Sequence, residues 1–341
     1  MTPRTSRRRA VSAAVAVAAV AALALSACGG TSNAASGGGE KVKLSLVAYS
    51  TPQTAYGKLI AAFQKTPAGK NVSFVQSYGA SGDQSRAVAA GLKADVVNFS
   101  LESDVTRLVK ANLVDASWNA GPTKGIVTDS VAVIGTRKGN PKNIKDWPDL
   151  IRPGVQVITP NPFTSGGARW NVLAAYGAVS NKGADEAAGL AYLNKLFHNV
   201  PVQDDSGRKS LQTFTGGKGD AFISYENEAL NAQHNGQAID YTVPSSTILI
   251  ENPIAVTKDS AHPTEAKAFV DFLLSPAGQK IWAANFYRPV TSVPGTNFPT
   301  PANLFTIKDL GGWSDVTTKF FDPDKGALVA VERSLGVSVK K

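Results

Sequence analysis

Along residues 42–49 (VKLSLVAY) apolar and polar positions alternate with the period of two that a strand requires. Residues 54–64 change to helical spacing, with Leu59, Ile60 and Phe63 on one side. A second strand is predicted at 72–76, a second helix at 84–92 and a third strand at 95–99. The rhythm restarts at 155–159, passes through a helical run at 170–179, and continues with strands at 200–203 and 221–225. Strands alternating with helices predict an α/β fold on a largely parallel sheet. No internal repeat is present.

Two extended apolar runs flank the middle third: SVAVIGTRKGNP (130–141) and TILIENPIAVT (247–257). A chain that leaves one sheet, builds a second and returns makes two lobes joined by a hinge. The expected division is 41–132 with 250–341 in lobe 1 and 133–249 in lobe 2. A ligand cleft is then expected between the lobes, at the carboxyl ends of the strands.

The first 40 residues follow neither period. Arg4, Arg7, Arg8 and Arg9 form a basic start without an acid, and 10–27 is an uncharged stretch rich in Ala, Val and Leu. This pattern marks 1–27 as an export signal. Cys28 is the single cysteine of the chain, so no internal disulfide and no cysteine metal site can form. Its place after Leu25-Ser26-Ala27 resembles the bacterial lipobox, which implies a lipid on Cys28 and a membrane-held protein on the outer face or in the periplasm. Residues 28–40 continue as a flexible Gly/Ser/Ala linker. The formal net charge is +9; the leader holds four of those charges and no acid, leaving +5 after processing. The remaining basic residues are scattered with no run interleaved with aromatics, which argues against nucleic-acid binding.

Three strand-to-helix passages carry a Ser-Gly step: Ser81-Gly82, Ser165-Gly166-Gly167 and Ser206-Gly207. Serine caps helices, and Ser81 to Gln84 fits a capping box. The first N–H groups of a helix have no internal partner and lie at the positive end of its dipole. Glycine removes the Cβ that would keep an oxygen away. Three such starts facing one cleft form a site for a small oxyanion.

Competing chemistries lack their residues. His198, His234 and His262 show no metal-ligand spacing. There is no P-loop, no dinucleotide fingerprint and no nucleophile elbow. Glu226 and Glu228 read as a solvated helix face. Neither a metal nor a cofactor is expected, and catalysis has no set of groups. An exported lyase or hydrolase on the same fold is the alternative from another class.

The stretches SYGASGDQSRAVAAGLKADVV, RKGNPKNIKDWPDLIRPGVQVITPNPFTSGGARWNVLAAYG, GDAFISYENEAL and FLLSPAGQKIWAANFYRPV resemble the sulfate-binding proteins of bacterial ABC transporters. The likeness spans most of 41–290 in order. It implies a two-lobed type II periplasmic-binding-protein fold with a hinge and an interlobe cleft, a monomer that hands sulfate to an ABC permease. It implies ligand contacts from Ser81 (N–H and hydroxyl), Gly166, Gly167 and Gly207 (N–H), Tyr225 and Ser50, with Arg208 supporting its turn rather than touching the ligand. Two positions depart from the family. Tyr225 stands where Trp is usual, and the Asp usual near Ser50 is missing. Thiosulfate is therefore an alternative ligand, with molybdate and phosphate as further oxyanions.

Overall fold

The computed structural model describes residues 41–339. The export signal, Cys28 and the linker lie outside the described residues.

The chain enters through β1 (Val42–Tyr49), α1 (Gln53–Phe63), β2 (Val72–Gly79), α2 (Ser81–Ala89), β3 (Val96–Asn98) and α3 (Glu102–Lys110). β4 (Ile126–Arg137) leads to β5 (Val157–Ile158), α4 (Gly166–Val179), α5 (Glu186–His198), α6 (Gly207–Thr215), β6 (Ala221–Tyr225), α7 (Glu226–His234) and β7 (Ile239–Thr242). β8 (Ser246–Val256) returns the chain to α8 (Pro263–Leu274), α9 (Pro276–Ala284) and β9 (Arg288–Pro289). β10 (Asn303–Phe305), α10 (Gly312–Phe321) and α11 (Ala327–Ser334) close it.

The strand order is β2-β1-β3-β8-β4-β6-β5, with β10 on β8 and β7 and β9 on β4. β1 runs parallel to β2 and β3, and β5 parallel to β6, as the alternating pattern requires. The two crossing runs became β4 and β8, the long antiparallel strands shared by both halves. β4 pairs with β8 at its start and with β6 and β7 at its end. The strand expected at 200–203 is reduced to one bridge, Ile158 to Val202. Pro201 has no N–H to donate to a ladder.

Each half of the sheet has a core on both faces. In the first, Leu44, Leu46 and Ala48 meet Tyr56, Phe63, Phe269 and Trp282, while Val47 and Val97 face Val105 and Leu108. In the second, Val131 and Val133 meet Phe214 and Phe222, while Ala132 and Ile134 face Trp147, Trp170 and Phe197. This last cluster also takes in Phe305, Trp313, Phe320, Phe321 and Leu328. The final segment thus packs on the 133–249 core, whereas the sequence reading grouped it with 41–132. Residues 291–302 carry it there past the end of β9.

Where β4 and β8 cross, Asp129 stands directly opposite Glu251. Asp129 Oδ1 is buried with no partner among the described residues. Arg288 is its neighbour on β9, but that guanidinium is bound to Glu226. Burial, then the Glu251 carboxylate, pushes the Asp129 carboxyl up to about 7, with Arg288 pulling the other way. The folded chain therefore holds this proton more tightly than the unfolded chain does. Its contribution to stability is complete below about pH 4 and is lost as pH rises toward 7. Asp129→Asn is expected to match the parent at pH 4 and to exceed it at pH 8 by roughly 2–4 kcal/mol. Denaturant unfolding at the two pH values checks this, and an identical pH slope in both proteins would reject the assignment.

Candidate ligand-binding site

The amino ends of α2, α4 and α6 converge on one small cavity. Ser50, Ser81, Gly167, Gly207 and Tyr225 all line it. Gly166 does not. A Cβ on Gly166 would sit 2.8 Å from both the Ser100 Cβ and the Leu101 Cγ. This glycine lets α4 approach the turn after β3. A Cβ on Gly167 would lie 3.5 Å from Ser165 Oγ and 3.6 Å from the Tyr225 ring, on the cavity side.

The donors are arranged by the helix starts. Ser165 caps α4 by accepting the Ala168 N–H at 3.3 Å, and Ser206 caps α6 by accepting the Lys209 N–H at 3.5 Å. The amides of Ser81, Gly167 and Gly207 have no acceptor among the described residues. No lining residue among those described carries a formal charge. The cavity is thus a ring of neutral donors at positive dipole ends, which suits an anion with no proton of its own.

Ser81 departs from its expected capping role. Ala80 is the N-cap of α2, and no side chain caps this helix. The Ser81 hydroxyl instead donates to Asp104 Oδ2 at 2.6 Å and accepts the Ser100 N–H at 2.9 Å. Its proton is committed to a buried carboxylate that Arg107 also holds, at 2.8 Å. The amide of Ser81 is left to face the cavity.

Arg208 lies outside the lining, as expected. It donates to the Thr51 carbonyl at 2.8 Å and to Glu228 at 3.2 Å, tying α6 to the turn after β1. The two glutamates are not a solvated face: Glu226 is 2 % and Glu228 1 % exposed. Each has a cation, the buried Arg288 for Glu226 and the half-buried Arg208 for Glu228. Glu226 takes a two-pronged contact from Arg288 at 2.7 and 3.1 Å. Burial pushes the Glu228 carboxyl up, and Arg208 holds it back. Neither carboxylate lines the cavity. No cluster of metal-ligating side chains occurs among the described residues.

Ser100, Thr51, Asn171 and Ser224 also line the cavity and were not singled out from the sequence. Ser100 follows β3, Ser224 lies near the end of β6, and Thr51 follows β1. A rule that ligands gather at strand carboxyl ends would have found these three, whereas Asn171 lies within α4 and carries no such mark. Tyr225 sits with its phenol oxygen 2.6 Å from Ser100 Oγ, and burial keeps that phenol well above its ordinary range.

A family model described as bacterial extracellular solute-binding protein matches residues 44–288. The sulfate-binding protein of Synechococcus elongatus is 42% identical over 329 residues, covering 92% of this chain and 94% of the relative. The thiosulfate-binding protein of Escherichia coli (strain K12) is 38% identical over 272 residues, 75% of this chain and 80% of that one. The solved structure of the sulfate-binding protein SubI from Mycobacterium tuberculosis H37Rv superposes with a TM-score of 0.80 at 46% identity, covering 82% of this chain and all of that chain.

Proposed function

Since the chain belongs to the bacterial extracellular solute-binding proteins, and among them to the sulfate-binding family, we propose that its neutral cavity holds a sulfate dianion through backbone N–H and hydroxyl donors. The fold is the two-lobed type II form of periplasmic binding proteins. The chain is an extracytoplasmic receptor for an ABC importer and not an enzyme. The observation that carries the site is the meeting of three helix starts on a cavity without a charged side chain. Ser81, Gly167 and Gly207 supply amides, Tyr225 a hydroxyl, and Ser50 a contact from the turn after β1. Gly166 adds its amide, which likewise has no acceptor among the described residues, while its missing Cβ lets α4 pack on Ser100. Thiosulfate is the second reading, favoured by the 38% identical relative.

The lobes close on the ligand about β4 and β8, with the final segment moving with the second lobe. Lobe contacts such as the Gly82 N–H to the Thr164 carbonyl, 3.1 Å, hold the closed form. Sulfate at about 100 times its dissociation constant is expected to stabilise the fold by roughly 2.7 kcal/mol. A thermal melt with sulfate, thiosulfate and chloride at equal ionic strength measures this. A melt unmoved by sulfate, after dialysis under denaturing conditions and refolding, rejects the reading; a larger shift with thiosulfate moves the assignment to that anion.

Membrane attachment rests on Cys28. No helix among the described residues is long and apolar enough to cross a membrane. The lipid on Cys28 holds a monomer at the membrane through the 28–40 linker. Cys28→Ser is expected to move the protein from the membrane fraction to the soluble fraction. A serine variant still sedimenting with membranes would dismiss the anchor.

A further inference from the structure

Gly167 lines the cavity, and Arg169, two positions on, is turned to the opposite side of α4. There it borders a second, wider cleft. The wall on the first half comes from α2 and α3, with Arg86, Arg107 and Lys110. The wall on the second half holds Arg169, Trp313 and Phe321. Trp313 meets Trp170 of α4 edge-on, 4.7 Å between ring centres, which ties α10 to that half.

The cations of this cleft are not equally matched. Arg86 is paired with Asp83 and Arg107 with Asp104, each an acid of its own helix. Arg169 has no carboxylate at ion-pair distance among the described residues. Its Nε donates to the Pro162 carbonyl at 2.9 Å, and its guanidinium lies over the Phe321 ring, 4.6 Å from the centre. These two contacts hold the fork in place, and its terminal nitrogens have no acceptor among the described residues. Glu102 and Asp324 also line the cleft, but both are exposed and neither pairs with its cations. Burial pulls the Arg169 guanidinium down to about 10; Asp104 opposes this, and Arg107 and Arg86 add to it. Arg169 therefore stays charged at neutral pH, and three like charges share the cleft.

We propose that this cleft is a second anion site, separate from the sulfate cavity, which takes a multivalent oxyanion carrying two or more phosphate or carboxylate groups. One acid group meets the fork of Arg169 and another meets Arg107 and Arg86, since a guanidinium matches either oxyanion with paired N–H donors. The walls come from both halves, so a ligand that bridges them favours the closed form. Sulfate favours the same form, and each anion then raises the affinity of the other by one common factor. This coupling rests on the sulfate reading; the site itself does not.

Calorimetric titration of the sulfate-loaded chain with inorganic pyrophosphate, and separately with citrate, at constant ionic strength tests this. Saturable binding of one equivalent is expected, and the anion that binds more tightly tells phosphate from carboxylate chemistry. Sulfate affinity measured with that anion present is expected to rise about fivefold or more. Arg169→Met is expected to lower affinity for the second anion at least tenfold while leaving sulfate affinity, measured alone, within about threefold of the parent. Arg86→Gln, at a half-buried surface pair, keeps the test open if Arg169→Met does not fold, with a loss of about threefold or more. No saturable binding of either anion overturns the site, as does binding that both folded variants retain. A fall in sulfate affinity also overturns it, because the second anion then enters the sulfate cavity. Arginine-dependent binding by a chain that ignores sulfate keeps the site and defeats the receptor reading instead.

Discussion

Gly167→Val is expected to fold and to bind sulfate at least tenfold more weakly than the parent chain, a loss of about 1.4 kcal/mol. Gly167 begins α4 on the cavity side, with the nearest atoms to an added Cβ at 3.5 Å or more. An added Cβ therefore makes only ordinary contacts with the protein, and a larger side chain takes the room of the ligand. Gly167 is not among the glycines with positive φ, so a side chain adds no backbone strain. Gly167→Ala is expected to be neutral or to stabilise the ligand-free chain by about 0.5–1 kcal/mol, because alanine is the better helix residue. Gly166→Ala is the contrast. Its Cβ falls 2.8 Å from Ser100 and Leu101, inside contact distance. Overpacking of this kind costs about 1–3 kcal/mol. Titration calorimetry beside ligand-free melts separates the two glycines. Undiminished affinity in a folded Gly167→Val protein would show that the anion sits elsewhere.

The largest stability loss is expected from Arg288→Ala. Glu226 is buried at the start of α7, and Arg288 reaches it from β9 with two hydrogen bonds. The same guanidinium donates to the Pro299 carbonyl at 2.8 Å. Removing the cation leaves a buried carboxylate without its partner, which costs about 3–5 kcal/mol. The charge is the issue rather than the volume, so Arg288→Met combined with Glu226→Gln is expected to recover most of the loss. Denaturant unfolding of the three variants decides it. A single variant within about 1 kcal/mol of the parent would mean that water or another group takes over the carboxylate.

Local signals in the sequence reached the parts of this fold that are local. The period-two run at 42–49 and the helical run after Pro52 became β1 and α1. The Ser-Gly steps marked three helix starts because serine, small size and dipole are properties of a few adjacent residues. Signals that depend on distant partners did not show. Glu226 and Glu228 look solvated in the string YENEA, since Arg288 lies 62 residues away and Arg208 lies 20 away. The Ser81 hydroxyl reads as a cap until Asp104, 23 residues on, takes its proton. Gly166 and Gly167 are adjacent and alike in sequence, yet one meets protein and the other meets the cavity. That distinction depends on how α4 docks against Ser100. Ser100 itself directly follows the strand expected at 95–99, so the strand-end rule would have marked it, but its contact with α4 depends on that docking.

The packing of Phe305, Trp313, Phe320 and Leu328 against Trp170 and Phe197 also sets a timetable. A ribosome delivers α4 and α5 more than 100 residues before α10. Until α10 and α11 emerge, the aromatic face of α4 has nothing to cover it. The first half waits in the same way, since Phe269 and Trp282 close its core late. Neither half can be sealed as the chain grows, so the nascent polypeptide stays open to handling by other machinery until its synthesis is nearly complete.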